Sequence, residues 1–408
     1  MPTFPTPPNN TRLGFHYFPD LDHYCARDLH TYLPEMKSMG ATWITLIAPP
    51  DRSIPEPFLG GLIDEGIEPI LHFPLSLETF PTARDLAFLF NNYARWGVHY
   101  AVLFDRPNSR SVWPKSAWAQ THLVERFLDH FIPLANICMQ CGLIPVFPPL
   151  EPGGDYWDTA FLRSAFESLL RRGQADLIGS MVIGAYAQAG ELPLNWGSGG
   201  PERWPSVRPY FTPPGTEDQR GFHIFDWYIA TAEAALGTSP PLLLFKAGSR
   251  TTSNHAAKIK SMDANTHALR NLAIAKSLIA SSQPHRLTYL DKSTLDALAP
   301  IPPQVLGCNL WLLSASSKSH HLPQAWITPD GSERVFVRTL KKWNDKRNFA
   351  EMECEENDLI DGMSIAPDNL NQKSSSNNQD FFSIDTENYS HGKTLPIDFY
   401  KRATLSTN

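Results

Sequence analysis

Eight short apolar runs limit the folds open to this chain, because an amphipathic or loop segment separates each run from the next. The runs are nearly continuous in Val, Ile, Leu and Phe instead of alternating between apolar and polar residues. Such continuity is typical of parallel strands that are covered on both faces. The predicted strands are Leu13–Phe18, Thr42–Ala48, Glu68–Phe73, Tyr100–Asp105, Leu143–Phe147, Ser180–Ala187, Pro241–Lys246 and Val305–Leu313.

The segments between the runs predict helices. Six glycines follow them, at the position where a helix commonly ends in a left-handed residue: Gly40, Gly66, Gly97, Gly142, Gly173 and Gly237. Thr82, Thr121 and Thr159 are predicted to cap helix N-termini. The predicted helices are Cys25–Met39, Glu56–Glu65, Ala83–Trp96, Thr121–Gln140, Thr159–Arg172, Gly221–Leu236, Asn254–Ile279 and Ser332–Lys342.

Strands that alternate with helices over this length predict an α/β protein with a single (β/α)8 TIM barrel over residues 10–345. Its long loops are expected after the fourth, fifth and sixth strands. A doubly wound open sheet is the alternative fold. That fold commonly carries a Gly-rich phosphate loop after an early strand, and the chain contains neither a G-x-G-x-x-G nor a Walker pattern.

Residues 349–408 differ from the rest in composition. They contain eleven acidic and four basic residues and an Asn- and Ser-rich stretch, whereas residues 1–348 contain 31 of each charge. This composition predicts a poorly ordered acidic tail, or a linker to a further domain or protein partner. The balanced charge of the remaining chain argues against nucleic-acid binding, which relies on a basic surface.

The sequence also predicts a soluble protein without metal or cofactor. No run of about 18 apolar residues indicates a membrane span, and the N-terminus lacks the pattern of a signal peptide, so the cytoplasm is the default location. Five scattered cysteines do not suggest a disulfide framework. Cys138 and Cys141 form a C-x-x-C pattern inside a predicted helix, where packing is the expected role, and no H-x-H or H-E-x-x-H spacing occurs.

Loops after barrel strands are where such folds carry their chemistry, and here those loops combine aromatic rings with carboxylates and amides. Rings stack on the C–H faces of a sugar, while carboxylates and amides bind its hydroxyls. The sequence therefore predicts carbohydrate contacts at ten residues: His16, His72, Asn108, Asp155, Tyr186, Glu191, Trp196, Trp204, Asn309 and Trp311.

Three strings at predicted strand ends carry a family resemblance: Asp105-Arg106-Pro107-Asn108, Lys246-Ala247-Gly248 and Trp311. Over residues 12–345 the chain resembles the (β/α)8 glycoside hydrolases typified by cellulases and β-galactosidases. In that clan strand four ends in an Asn-Glu-Pro string whose Glu is the acid/base, strand seven ends in the Glu nucleophile, and strand eight ends in a Trp beneath the sugar. The resemblance implies that Arg106 and Lys246 occupy the two catalytic positions.

Both substitutions oppose the family's reaction. Retaining hydrolysis needs two carboxyl groups about 5 Å apart, whereas arginine keeps its proton at neutral pH and lysine cannot form the glycosyl ester. The sequence therefore predicts carbohydrate recognition without the family's catalysis. Two facing cations require a counter-charge, which Asp105, Glu151, Asp155 or an acidic sugar such as a uronate can supply.

Three alternatives stay open at this stage. An atypical glycosidase can use other carboxylates, with Asp105 and Glu151 as the first pair; a separation of about 6.5–9.5 Å would suit inversion. Lys246 can act as an amine nucleophile that forms a Schiff base. The barrel can also be a non-catalytic interaction module that presents residues 349–408.

Overall fold

Eight parallel strands close into one barrel in the order in which they occur along the chain, which confirms the predicted TIM-barrel fold. The computed structural model describes residues 4–79, 81–249, 263–282 and 298–348. The tail predicted over 349–408 lies outside the described residues. The strands are β1 Leu13–His16, β2 Trp43–Ile47, β3 Glu68–Phe73, β4 Tyr100–Leu103, β5 Ile144–Leu150, β6 Val182–Gln188, β7 Leu242–Gly248 and β8 Val305–Leu310.

Helices cover the outside of the barrel. The six predicted glycines have positive φ angles, as a helix end requires. None of the described helices is long and apolar enough to cross a membrane. The helices are α1 Ala26–Ser38, α2 Glu56–Asp64, α3 Ala83–Arg95, α4 Lys115–Trp118, α5 Leu123–Gln140, α6 Asp158–Arg171, α7 Ala175–Ser180, α8 Gly200–Arg203, α9 Ile224–Leu236, α10 Ala264–Ser282 and α11 over 335–348.

Helix starts were predicted less well than helix ends. Thr82 caps α3 as predicted, since its hydroxyl accepts a hydrogen bond from the Asp85 N–H. Thr121 and Thr159 were wrong, because His122 and Trp157 occupy the N-cap positions of α5 and α6. The short helices α4, α7 and α8 were not predicted; each has six residues or fewer, too few for a helical period to show in the sequence. Cys138 is buried in α5, as its predicted packing role requires.

Large side chains fill the barrel interior. Trp43 of β2 lies against Gly307 in β8, where a Cβ atom would come within 2.9 Å of the indole ring. Only a residue without a side chain fits there, so this glycine makes room for the tryptophan. The interior cluster consists of Trp43, Ile70, Tyr100, Val102, Val146, Val182, Tyr186, Leu243 and Phe245.

The N-terminal segment closes the end of the barrel at which the strands begin. Phe4 packs against the interior cluster. The Tyr100 hydroxyl donates to the Pro5 carbonyl at 2.6 Å, and the Trp43 indole donates to the Asn10 side chain at 2.7 Å. The opposite end, where the strands stop, is therefore the face at which a ligand can enter.

Helix α11 ends at this same closed face. The Asn344 side chain donates to the carbonyl of Ser38, the last residue of α1, at 3.2 Å. Lys341 in α11 pairs with Glu35 in α1 and with Glu333. Since α1 leads into the start of β2, the C-terminal part of α11 lies beside the starts of the strands.

A buried carboxylate joins the loops that follow β5 and β6. Asp158 accepts hydrogen bonds from the Gly153 N–H at 3.0 Å, the Gln219 amide at 2.6 Å and the Tyr228 hydroxyl at 3.0 Å. These three donors come from the β5 loop, the β6 loop and α9, and all are uncharged. Burial raises the pKa of Asp158 to about 6, although the hydrogen bonds act in the opposite direction.

Replacing Asp158 by Asn should change how stability depends on pH. A carboxyl whose pKa is higher in the folded than in the unfolded protein, where it is about 3.9, stabilises the fold at low pH. That contribution is lost as the pH rises from about 4 to about 6, and it amounts to roughly 3 kcal/mol. Denaturant unfolding of D158N should therefore show a smaller fall in stability between these pH values.

Asp155→Asn provides the control, since Asp155 is an exposed carboxylate on the same loop. D155N should follow the wild-type curve. A D158N curve that falls as steeply as the wild type between pH 4 and 6 would contradict the assignment to Asp158.

Candidate functional site

The backbone is strained at the ends of β4 and β7, where the two family-like strings lie. Phe104, Arg106 and Lys246 have φ angles of 70°, 48° and 44°. Residues other than glycine seldom adopt this left-handed region, and each such residue costs on the order of 1–3 kcal/mol unless its surroundings impose it. The pairing of β7 with β8 also shifts register between Leu244 and Ala247. The surrounding contacts therefore hold both strand ends in fixed, unusual conformations.

Asp105, Arg106 and Glu151 form a chain of charges at the open face. The Arg106 Nε–H donates to Asp105 Oδ2 at 3.2 Å, and Arg106 Nη1 lies 3.5 Å from Glu151 Oε2. The Tyr186 hydroxyl from β6 donates a hydrogen bond to Asp105 Oδ1. The Asp105 side chain is 16% exposed, whereas Arg106 and Glu151 are each 38% exposed. The arginine thus sits between two carboxylates, one deep and one at the surface.

The protonation of Asp105 follows from these neighbours. Burial alone would raise the pKa of its carboxyl, but the charges of Lys246 and Arg106 and the Tyr186 hydrogen bond oppose burial, and the pKa is lowered. Burial and the neighbouring Asp105 charge raise the pKa of the Tyr186 phenol well above its usual range. At neutral pH Asp105 is therefore a carboxylate and Tyr186 a phenol, and Asp105 carries no proton that it could donate to a leaving group.

Lys246 lies between two aromatic rings. Its Nζ is 4.6 Å from the centre of the Tyr186 ring and 5.3 Å from that of Trp311, within the range of cation–π attraction. The Trp311 indole donates to Gln324 at 2.6 Å, so the ring is fixed in place. The Lys246 backbone N–H donates to His16 Nε2 at 2.8 Å, which makes His16 an acceptor at this nitrogen.

Four further predicted residues are buried near this cluster: His16, His72, Asn309 and Trp311. His16 packs against Trp311, with ring centres 5.1 Å apart. His72 contacts the Phe104 carbonyl through Nε2 at 3.1 Å, and burial lowers its pKa. Asn309 donates weakly to the Leu244 carbonyl at 3.4 Å. The structure therefore brings together six of the predicted residues: Asp105, Glu151, His16, His72, Tyr186 and Trp311, with the buried Asn309 deeper in the barrel.

Asn108 organises the loops that carry the charges. Its amide donates to the carbonyls of Glu151 and Tyr156 at 2.9 Å each, and its oxygen accepts from the Glu151 N–H at 2.8 Å. A Cβ at Gly154 would come within 2.6 Å of this amide. Asn108 is fully buried and fixes the backbone of Glu151, so its predicted contact with a ligand stays a prediction.

The remaining predicted residues make their contacts elsewhere. Asp155 is exposed and accepts from the Arg110 N–H at 2.8 Å. In the loop over 189–223, the Trp196 indole donates to Asp218 and the Trp204 indole to the Ser198 carbonyl, both at 3.2 Å. Glu191 of that loop is exposed. Both indole N–H groups are thus used to fold the loop on itself.

Sequence reasoning missed two features of this face. Gln324, which holds Trp311, follows β8 by fourteen residues, and no sequence pattern indicates that contact. Tyr210 and Phe211 lie exposed on the β6 loop, and Pro209 before them is the signal for a turn that displays them. Among the described residues no group of three or more His, Cys, Asp or Glu side chains could hold a metal ion.

Comparisons with known proteins found similarity only among solved structures. No protein-family model matches the chain. No curated protein matches it either. A β-glucuronidase of Faecalibacterium prausnitzii is 12% identical, with a TM-score of 0.44, over 82% of this chain and 48% of that one. A GH39 β-xylosidase from Caulobacter crescentus is 11% identical, with a TM-score of 0.47, over 84% of this chain and 72% of that one.

A psychrophilic glycoside hydrolase family 10 endo-β-1,4-xylanase is 8% identical, with a TM-score of 0.44, over 82% of this chain and 96% of that one. The chain spans about half the length of the β-glucuronidases it matches. At such identities and TM-scores, these likenesses concern the fold, and nothing about the activity of this chain follows from them.

The hydrogen bond between Tyr186 and Asp105 should appear as an energetic coupling. Replacing Tyr186 by Phe removes a donor from a buried carboxylate and should lower the free energy of unfolding by about 1–3 kcal/mol. In a D105N background the same change should cost less. Denaturant unfolding of Y186F, D105N and the double variant should give a coupling energy of about 0.5–3 kcal/mol.

Tyr24→Phe is the matched control, because the buried Tyr24 donates to a neutral backbone carbonyl, that of Ile47. Y24F should not couple to D105N. A coupling energy near zero for Y186F would mean that the hydroxyl does not stabilise the carboxylate.

Proposed function

We propose that this protein binds carbohydrate at the open face of its barrel and does not cleave it by the two-carboxylate mechanism. The observation that carries the proposal is the chain of charges Asp105–Arg106–Glu151, with Lys246 placed over the rings of Tyr186 and Trp311. Hydrogen-bonding groups and aromatic rings meet there in one place, which is the combination that sugar recognition requires.

The same contacts argue against hydrolysis. The family mechanism needs one protonated carboxyl and one free carboxylate. Asp105 has a lowered pKa and holds no proton near neutral pH, and its oxygens accept hydrogen bonds from Tyr186 and Arg106. Glu151 lies beside the Arg106 guanidinium, which keeps its own proton. Asp105 is therefore not set up as an acid, and Glu151 is paired with a cation.

Charge balance favours an uncharged sugar. Arg106 and Lys246 contribute two positive charges, and Asp105 and Glu151 contribute two negative ones. The counter-charge for Arg106 is thus present within the protein, and Asp105 also attracts Lys246. An acidic sugar would have to displace these internal partners, so the acidic-sugar hypothesis is retained as the competing outcome of the binding test.

Calorimetry of the protein over residues 1–408 should detect binding of neutral glycans. The affinity should change little between low and high salt, because screening acts on charged ligands. The panel should contain neutral oligosaccharides and oligouronates of matched length. Tighter binding of the oligouronates, weakened by salt, would support the acidic-sugar hypothesis instead; no binding by either class would overturn the proposal.

Lys246→Met should weaken the binding of a neutral glycan by about tenfold or more, since the ammonium donates charge-assisted hydrogen bonds to sugar hydroxyls. Lys276→Met is the matched control: Lys276 also lies over a tryptophan, Trp343, at 5.6 Å from the ring centre, but on the outer helix α10. K276M should bind as the wild type does. Equal affinity of K246M and the wild type would exclude Lys246 from the binding site.

An atypical glycosidase is the second candidate function, and the observation that favours it is the presence of Asp105 and Glu151 on either side of one arginine. We expect no release of nitrophenol from nitrophenyl glycosides of neutral sugars or uronic acids. Turnover by the wild type that is lost in both D105N and E151Q would establish this alternative and overturn the non-catalytic proposal.

A further inference from the structure

Two consecutive aromatic side chains stand exposed on the loop after β6. Tyr210 is 62% exposed and Phe211 59% exposed. Among the described residues, the other large hydrophobic side chains exposed to a similar degree lie singly on outer helices; they are Phe88, Leu170 and Leu269. The pair is thus the one place where exposed rings adjoin on loops of the open face within the described chain.

The backbone displays these rings in a rigid and strained turn. The Phe211 N–H donates to the Arg208 carbonyl at 2.9 Å, and the Arg208 N–H donates back to Phe211 at 3.0 Å. Pro209 and Tyr210 are the two central residues, and Tyr210 has a φ of 65°. This is the arrangement of a type II turn, in which Gly or Asn is preferred at the position that Tyr210 occupies. A tyrosine occupies this position in spite of the strain.

The polar end of Tyr210 is fixed while its ring stays exposed. The Tyr210 hydroxyl accepts a hydrogen bond from the backbone N–H of Trp157 at 2.9 Å and donates one to the backbone carbonyl of Asp155 at 3.4 Å. The ring centres of Tyr210 and Trp157 are 5.5 Å apart. A ring that is ordered before binding loses little conformational entropy when a ligand stacks on it.

A series of hydrogen bonds connects the turn at Tyr210 to the cluster of Asp105, Arg106 and Glu151. The Ser109 N–H donates to the Arg106 carbonyl at 2.9 Å, and the next residue, Arg110, donates to Asp155 at 2.8 Å. Asp155 in turn accepts from Tyr210. The hydrogen bond from Gly154 to the Glu151 carbonyl closes a turn, which keeps the Cα atoms of Glu151 and Asp155 within roughly 11 Å.

We propose that Tyr210 and Phe211 form an outer platform on which a sugar unit stacks while another unit of the same chain occupies the site at Arg106 and Lys246. The ligand class is therefore an oligosaccharide and not a monosaccharide. This inference rests on the proposed carbohydrate binding. Two rings suit a sugar footprint, whereas a stable protein interface needs about 800 Å² and 20–30 residues on each side.

Measurement of affinity against ligand length tests the platform. A glycan array with the protein over residues 1–408 identifies a binding series, and calorimetry then compares its members from the monosaccharide to the hexasaccharide. The affinity of the wild type should rise with the number of sugar units until the ligand is long enough to contact both Arg106 and the rings of Tyr210 and Phe211. F211A and Y210A should each weaken long ligands by about three- to tenfold and leave the shortest ligand unchanged.

Matched variants separate stacking from folding. Y210F keeps the ring but loses both hydrogen bonds of the hydroxyl, and it should keep the length dependence. Phe88→Ala removes an even more exposed ring on α3 and should have no effect. The Phe211 side chain makes no hydrogen bond, so F211A remains informative even if Y210A fails to fold.

The outcomes also distinguish this inference from the function on which it rests. Affinity that does not rise with length, or that rises equally in F211A, would overturn the platform while leaving carbohydrate binding intact. An array on which no glycan binds would overturn both.

Discussion

The open face of this barrel depends on keeping one buried carboxylate charged. The Asp105 side chain is only 16% exposed, and an ionised group in such a place is tolerated only when charges and hydrogen bonds surround it. Tyr186 from β6, Arg106 beside it and Lys246 from β7 together provide them. The left-handed conformations of Arg106 and Lys246 are compatible with folding because these contacts offset their strain.

A comparison of the two buried carboxylates shows how the environment sets protonation. Asp105 is surrounded by cations, which keep its pKa low despite burial. Asp158 is more completely buried and its hydrogen-bond donors are uncharged, and its pKa rises to about 6. The first carboxylate therefore belongs to the electrostatics of the site, whereas the second joins the loops that frame it. Neither arrangement has the protonated, solvent-accessible carboxyl that a glycosidase uses as its acid.

The strands were predictable because a parallel barrel buries both faces of each strand, so that each one is a continuous apolar run, as in Glu68–Phe73, whose predicted and observed bounds coincide. The sequence also indicated that Arg106 and Lys246 needed counter-charges, and it named Asp105 and Glu151 among the candidates. It could not show that Asp155 would instead bind the backbone of Arg110, since that contact joins two loops that lie 45 residues apart in the chain.

The tryptophans of the β6 loop illustrate a second limit. Trp196 and Trp204 are residues of the type that sugar sites use. In the folded loop, however, the Trp196 indole N–H and the Thr212 hydroxyl donate to the buried carboxylate of Asp218 in the same loop. Whether an aromatic residue faces a ligand or its own loop depends on long-range packing, which residue type and spacing do not encode.

The closed face of the barrel determines how the molecule can be presented to a ligand. Phe4 seals that face, and Asn344 of α11 is bonded to Ser38 beside it. Residue 348 follows within about 6 Å of helical rise, so the chain enters and leaves the described barrel on the side away from Arg106 and Lys246. A linker joined to the barrel at residue 4 or at residue 348 would accordingly leave the face that carries Arg106 and Lys246 uncovered.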